Sequence, residues 1–81
     1  MPAPIQGLDC SKYENLIYKS KKRTMYIAMK DFRPKDRNYF PMRQGDILCS
    51  VYELKGWRLV YVEENPKKFG FVPDNYLNVI H

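Results

Sequence analysis

Trp57 is the residue of this sequence whose chemistry is most distinctive. It stands thirteen residues ahead of the run Gly70-Phe71-Val72-Pro73-Asp74-Asn75-Tyr76, which adds two more aromatic rings and a proline. These side chains supply flat apolar faces and a few hydrogen-bonding tips. Such faces suit an extended polyproline II helix, which has no internal hydrogen bonds and offers its rings to shallow slots. The spacing therefore predicts a peptide-binding surface around Trp57.

The residue types needed for catalysis or metal binding do not occur in a productive pattern. His81 is the last residue, and there is no paired-acid site, nucleophile elbow or glycine-rich phosphate loop. Cys10 and Cys49 are too few for a disulfide scaffold and lack zinc-ligand spacing, so both are expected to be free thiols. The sequence predicts no enzyme, no metal site and no cofactor.

The first part of the chain divides into a lead-in and a helix. Residues 1–10 contain prolines and Gly7 without periodicity, so we expect a flexible lead-in with no function of its own. Residues 11–23 are predicted to be a helical extension that starts with a capping box of Ser11 and Glu14. Its apolar stripe is expected to cover part of the following domain. The stripe consists of Tyr13, Leu16 and Ile17.

Residues 24–81 have the texture of an all-β barrel, because short β-branched and aromatic runs alternate with turn residues. A chain of 81 residues supports one domain with a small core. Five strands are predicted, with a long first loop over residues 33–41 and a helical turn over residues 73–76. The predicted strands are Met25–Met29, Asp46–Val51, Trp57–Val62, Phe69–Val72 and Leu77–Ile80. Periodicity does not decide which face of the second strand is buried.

The segments Ala28-Met29-Lys30-Asp31-Phe32 and Arg43-Gln44-Gly45-Asp46-Ile47-Leu48 precede Trp57 at a recognisable spacing. Together with the Gly70–Tyr76 run they make residues 24–80 resemble an SH3 domain. The resemblance implies a five-stranded barrel, here preceded by a helix. It also implies that the following side chains fill the core: Ala28, Phe40, Met42, Leu48, Val60, Val72 and Leu77.

The resemblance also implies a groove for proline-rich peptides. Phe32 and Tyr76 are expected to wall one proline slot, and Trp57 with Pro73 another. Asn75 is placed to donate a hydrogen bond to a ligand carbonyl. Because large aromatic side chains are seldom fully buried, we expect these rings to be open to solvent, with Trp57 at the centre.

Two departures from the family pattern bear on what is bound. Lys30 replaces the first groove tyrosine, and Tyr39 stands where the family carries its main acid. Asp36 is left among cations in the first loop, so Arg-flanked peptides are expected to bind poorly. The sharper hypothesis is a proline-rich ligand with acidic or phosphorylated neighbours, with Lys30 and Arg37 setting the flank preference. The alternative is that these cations are only a solvated face.

The formal charge of +5 leaves two other partners to consider. An anionic phospholipid surface or a phosphopeptide could bind the basic helix end, Lys19 to Arg23, together with the first loop. Nucleic acid is disfavoured, because acids are interspersed with the cations and no RNA-binding signature is present. The sequence thus predicts a monomeric interaction module of an adaptor, scaffold or signalling protein, in the cytoplasm or at the inner face of the plasma membrane.

Overall fold

The computed structural model describes residues 1–81, and its centre is one antiparallel sheet of five strands. The strands are β1 (Thr24–Ala28), β2 (Ile47–Leu54), β3 (Trp57–Val62), β4 (Asn65–Pro73) and β5 (Leu77–Ile80). They lie in the order β4-β3-β2-β1-β5, and a single turn of 3₁₀ helix (Asp74–Tyr76) joins β4 to β5. The predicted all-β fold with a preceding helix is confirmed.

Two strands are longer than the sequence predicted because their connections are shorter. Lys55 and Gly56 alone join β2 to β3, and both have positive φ, 52° and 89°. Positive φ at both central residues is the requirement of a type I′ hairpin turn, whose twist matches the flanking strands. β4 likewise begins at Asn65, where the prediction placed a longer loop tip.

The core agrees largely with the sequence prediction. Five of the seven predicted core side chains are buried, and Phe40 and Leu77 are half-buried against them. In β2 both Leu48 and Cys49 are buried, so the ambiguous periodicity reflects a strand with two covered faces. The preceding helix packs against β2, and its Ile17 belongs to the same apolar cluster as Cys49.

The helical extension is shorter than predicted and has a different cap. A 3₁₀ turn (Cys10–Tyr13) leads into helix α1 (Glu14–Lys19). The predicted capping box is wrong, because the Asp9 carboxylate accepts hydrogen bonds from the Ser11 backbone N–H at 3.1 Å and the Ser11 hydroxyl at 2.6 Å. This tighter start leaves the predicted stripe incomplete: Ile17 is buried, whereas Leu16 is 37% exposed.

Tyr13 attaches the helical extension to the barrel. Its ring stacks on Tyr52, with the ring centroids 5.3 Å apart, and meets Phe71 edge-on at 5.4 Å. Such pairs stabilise by about 1 kcal/mol beyond the area they bury. No helix of the structure has the length and apolar character needed to cross a membrane.

Residues 1–10, expected as a flexible lead-in, lie against the barrel in the structure. Ile5, Leu8 and Cys10 are half-buried against the core. The Cys10 backbone N–H donates to Asn38 Oδ1 of the first loop at 3.0 Å. The expected flexibility rested on the lack of periodicity, but isolated apolar side chains can hold a segment when a barrel offers them an apolar surface.

Candidate peptide-binding groove

The long first loop is held in shape by pairing with itself and with β4. Phe32 and Met42 exchange two backbone hydrogen bonds of 2.9 Å across the loop. Near its tip, Phe40 N–H donates to the Phe71 carbonyl at 3.0 Å, and Phe71 N–H donates to the Asn38 carbonyl at 2.9 Å. These bonds fix Phe32 and Tyr39 relative to β3 and β4.

Four aromatic side chains consequently meet beside the sheet, and we call them the aromatic cluster: Phe32, Tyr39, Trp57 and Tyr76. The Tyr39 and Trp57 ring centroids are 4.8 Å apart, and those of Phe32 and Trp57 are 6.2 Å apart. Phe32 meets Tyr76 edge-on at 5.9 Å. Pro73 is paired with Trp57 across β3 and β4. The predicted slot residues are therefore neighbours.

Tyr39 contributes a ring to this cluster, although the resemblance implied only a lost acid at that position. Burial raises the pKa of the Tyr39 phenol, the nearby Asp36 carboxylate raises it further, and the Ile5 backbone lowers it in part. The phenol is thus neutral at physiological pH and offers an apolar face with a hydrogen-bonding tip.

The polar residues predicted for the site fall at different places around the cluster. Lys30 lies over the Tyr76 ring, with Nζ 5.1 Å from the ring centroid, and Asn75 is exposed. Lys35 and Asp36 border the space beside Tyr39 and Trp57. Arg37 borders an adjoining groove of about 740 Å³, together with Lys67 and Lys68, and Tyr39 lines both spaces.

Asp36, the remaining acid of the first loop, has a structural task. Its Oδ1 accepts from the Asn38 backbone N–H at 2.9 Å and from Asn38 Nδ2 at 3.1 Å. The same Asn38 side chain accepts the hydrogen bond from Cys10. The carboxylate oxygen that closes the loop tip is thereby already engaged, which reduces what it can offer to a basic ligand residue.

The expectation that the aromatic rings are open to solvent is wrong for Trp57 and Phe32, and Pro73 beside them is covered as well. Trp57 is only 3% exposed, Phe32 is 8% exposed, and Pro73 is fully buried. The physical reason is the beginning of the chain, because residues Met1–Ile5, which we call the leading segment, cross the cluster. Trp57 Nε1 donates to the Ala3 carbonyl at 2.9 Å.

The position of the leading segment and the glycine that contacts it were not predicted from the sequence. Gly56 lies directly against Pro2, and a Cβ placed there would come within 3.0 Å of the Pro2 ring. The signal was present in the sequence: Pro2-Ala3-Pro4 is a proline-containing segment in a chain predicted to bind such segments. Composition alone had assigned these residues to a lead-in.

Comparison with solved structures places the fold in a known family. The SH3 domain of yeast Nbp2 aligns with a TM-score of 0.66 and 29% identity, covering 72% of this chain and 98% of that chain. The same yeast domain in complex with a peptide from Ste20p aligns at 0.65 and 28% identity, covering 74% of this chain and 90% of that one. This chain has the fold of an SH3 domain.

A third SH3 structure agrees in fold alone. It is the C-terminal SH3 domain of myosin IB from Entamoeba histolytica bound to a GEF peptide, with a TM-score of 0.66 and 19% identity over 76% of this chain and all of that one. No family model and no curated protein matches the sequence. SH3 domains are non-enzymatic interaction modules, and two of these structures hold an SH3 domain with a peptide bound.

Proposed function

We propose that this SH3 domain binds proline-rich segments of partner proteins across the aromatic cluster. The observation that carries the proposal is the hydrogen bond from Trp57 Nε1 to the Ala3 carbonyl, which lies between two prolines. The site therefore already holds a proline-containing segment, which is the kind of ligand predicted from the sequence. Both yeast Nbp2 and the amoebal myosin have SH3 structures with peptides bound.

Each cluster residue has a role in this proposal. Trp57 donates to a ligand carbonyl and, with Pro73, forms one apolar wall, while Phe32 and Tyr76 form the wall of a second slot. Asn75, exposed beside Gly56 and Asp74, donates to a further carbonyl. Tyr39 extends the apolar surface toward the first loop.

We further propose that acidic neighbours of the prolines are preferred. Lys35 borders the space beside Trp57, and Lys30 lies at the Tyr76 end, so both ends of the groove present a cation. Asp36 is engaged with Asn38, which weakens the attraction for a ligand arginine. Lys35 lines the space beside Trp57 and Arg37 does not, so Lys35 takes over the flank role that the sequence gave to Arg37.

The test is a titration of the labelled protein with two oligoproline peptides, flanked by Glu or by Arg, followed by amide chemical shifts. Binding in the groove should move the resonances of Trp57, Tyr76 and Asn75, and the Glu-flanked peptide should bind more tightly. Lys35→Glu should weaken the Glu-flanked peptide by roughly threefold to tenfold at low salt, because it reverses a charge near the ligand.

Lys22→Glu is the matched control, since it makes the same charge change on an exposed lysine after helix α1. It should leave peptide affinity unchanged. Tighter binding of the Arg-flanked peptide would refute the acidic preference, and shift changes confined to residues outside the cluster would refute the groove.

A second candidate function is binding to anionic lipid through the helix end. Leu16 and Tyr18 are exposed on α1, at 37% and 55%, beside the exposed Lys19, Lys21 and Lys22. Exposed apolar and basic side chains on a short helix and in the residues directly after it are the composition that favours a membrane surface. Co-sedimentation with phosphatidylserine vesicles tests it: Lys22→Glu should reduce binding and Lys35→Glu should not. Either activity suits a cytoplasmic adaptor, scaffold or signalling protein.

A further inference from the structure

The leading segment makes the contact that an external ligand would need at the centre of the groove. Trp57 is the only tryptophan, and its indole N–H is committed to the Ala3 carbonyl. A donor with one hydrogen serves one acceptor well at a time. A peptide that uses Trp57 must therefore take the place of Ala3.

Pro2 is fitted to the turn that borders the groove. Gly56 has φ of +89°, and a Cβ on it would lie 3.0 Å from Pro2 Cβ, so the two residues are in tight contact. Asp74 N–H donates to the Gly56 carbonyl at 2.8 Å, which fixes this turn beside Asn75. Pro2 thus lies at the Asn75 end of the groove, beside Gly56 and Asp74.

The other end of the leading segment is tethered to the first loop. Ile5 is half-buried against the core, Leu8 N–H donates to the Ile5 carbonyl at 3.4 Å, and Gly7 has a positive φ of 71°. This turn brings Cys10 back to Asn38. The segment consequently enters the groove from a fixed anchor only a few residues away.

The attachment of the leading segment is nevertheless shallow. The side chains of Met1, Ala3 and Pro4 are exposed, and Met1 is 70% exposed. An apolar space of about 360 Å³ also remains between Pro4, Met1 and the aromatic cluster. The leading segment therefore covers the groove without filling it, and a segment attached in this way can dissociate.

We propose that the leading segment is an internal ligand of the groove, and that external peptides with the same pattern of proline, small residue, proline and aliphatic residue compete with it for Trp57. This inference rests on the proposed function and adds its regulation and the chemistry of its ligand. A partner that binds or removes residues 1–5 exposes the groove. A partner peptide with the same pattern as residues 1–5 occupies the groove in their place.

The expected size of the effect follows from the tether. A short flexible connection gives an effective concentration on the order of millimolar. If the tethered segment leaves about a tenth of the molecules open, the apparent Kd of an external peptide is about tenfold weaker than its intrinsic Kd. Freeing the groove should therefore tighten external binding about tenfold.

The test replaces Pro2-Ala3-Pro4 by Gly-Ser-Gly in the otherwise complete chain, which keeps the length and charge. The probe is the synthetic peptide Met-Pro-Ala-Pro-Ile-Gln, with Gln6→Ala as the control because Gln6 is exposed in the same part of the chain. In the replaced chain the emission of Trp57 should shift to longer wavelength, and the peptide should shift it back. The peptide should bind this chain about tenfold more tightly than it binds the wild type and the control.

Equal affinities in the replaced chain and the wild type, with a Glu-flanked oligoproline bound by both, would overturn the internal ligand and leave the proposed function intact. Loss of all peptide binding in a replaced chain that still unfolds cooperatively would overturn both. A second measurement needs no substitution: on titration of the wild type, the amide resonances of Ala3 and Ile5 should move toward random-coil values. Peptide binding that leaves those resonances in place would also overturn the inference.

Discussion

At the scale of single residues, the indole N–H of Trp57 is the group for which internal and external ligands compete. Trp57→Phe removes this donor and keeps an aromatic ring, so each ligand loses one hydrogen bond, about 1 kcal/mol or roughly fivefold in affinity. In the intact chain the losses offset each other, because the weaker leading segment opens the groove more often. Peptide affinity should therefore change less than twofold.

The same Trp57→Phe substitution in the chain with Gly-Ser-Gly at residues 2–4 should cost the full factor of about five. Fluorescence anisotropy of a dye-labelled peptide measures both affinities, since the substitution removes the only tryptophan. Equal losses in the two chains would contradict competition for this donor.

Gly70 lets the first loop lie directly on β4. A Cβ at this position would stand 3.0 Å from the Phe40 nitrogen and from the Tyr39 carbonyl carbon. Both neighbours are backbone atoms of a stretch whose two ends, Asn38 and Phe40, are hydrogen-bonded to Phe71, so the loop has to move as a unit. We expect Gly70→Ala to destabilise folding by about 1–3 kcal/mol, as other overpacked sites do.

Gly70→Ala should also reduce peptide affinity, because the displaced loop carries Tyr39 away from Trp57. Urea unfolding and a peptide titration of the folded variant measure the two effects separately. Unchanged stability would mean that the loop does not rest on β4 as closely as the structure has it.

At the scale of elements, helix α1 acts through a single buried side chain. Ile17 is 6% exposed within the core cluster, whereas its neighbour Leu16 is 37% exposed. Ile17→Ala should therefore lower the free energy of unfolding by about 2–3 kcal/mol, through lost burial and the cavity left behind. Leu16→Ala, an equivalent truncation on the same helix, should change it by less than about 0.5 kcal/mol. Urea midpoints measure both, and similar losses would contradict the observed orientation of the helix.

The elements with strong local patterns were predictable from the sequence. β3 and β5 begin and end where the alternation and the flanking turn residues put them, and the 3₁₀ turn after Pro73 was expected. The two-residue turn at Lys55 and Gly56 was not, because a lysine gives no sign of positive φ. Turn geometry decides strand length, and Lys55-Gly56 is not one of the residue pairs that usually mark a type I′ turn.

The residue that caps the start of the helical extension was also not predictable from the sequence. Ser11 and Glu14 have the spacing of a capping box, yet Asp9 caps the first turn. Two polar residues at competing positions differ by only a fraction of a kcal/mol as caps, so the contacts of Cys10 with the first loop are enough to decide between them. Tertiary contacts, absent from local patterns, set the register.

For the site, the sequence located the residues but not their surroundings. Phe32, Trp57, Pro73 and Tyr76 are neighbours as the family resemblance implied. Their burial depends on where residues 1–5 lie. That position could not be predicted, because a segment outside any helix or sheet has no periodic pattern. The proline pattern of Pro2 and Pro4 becomes informative only when it is read as a ligand for the same chain.

At the scale of the whole molecule, four weak acids sit in the fold with raised pKa values. Burial is the main cause for the thiols of Cys10 and Cys49 and for the phenols of Tyr39 and Tyr61. Neighbouring negative charges raise these pKa values further, Asp9 for Cys10 and Asp36 for Tyr39. Each group therefore holds its proton more strongly in the folded chain than in the unfolded one.

The folded pKa values lie above the unfolded ones, so these groups contribute their full stability below pH ~8.5, the ordinary pKa of a thiol. This stability is lost as the pH rises past ~10, the ordinary pKa of a phenol. Urea midpoints in reducing buffer should accordingly be flat near neutrality and fall between those values and beyond. Tyr61→Phe should make the decline shallower, since it removes one of the four groups. Tyr18→Phe is the matched control, because Tyr18 is 55% exposed, and its decline should follow the wild type. An unchanged slope in Tyr61→Phe would show that burial of this phenol does not contribute to the alkaline loss of stability.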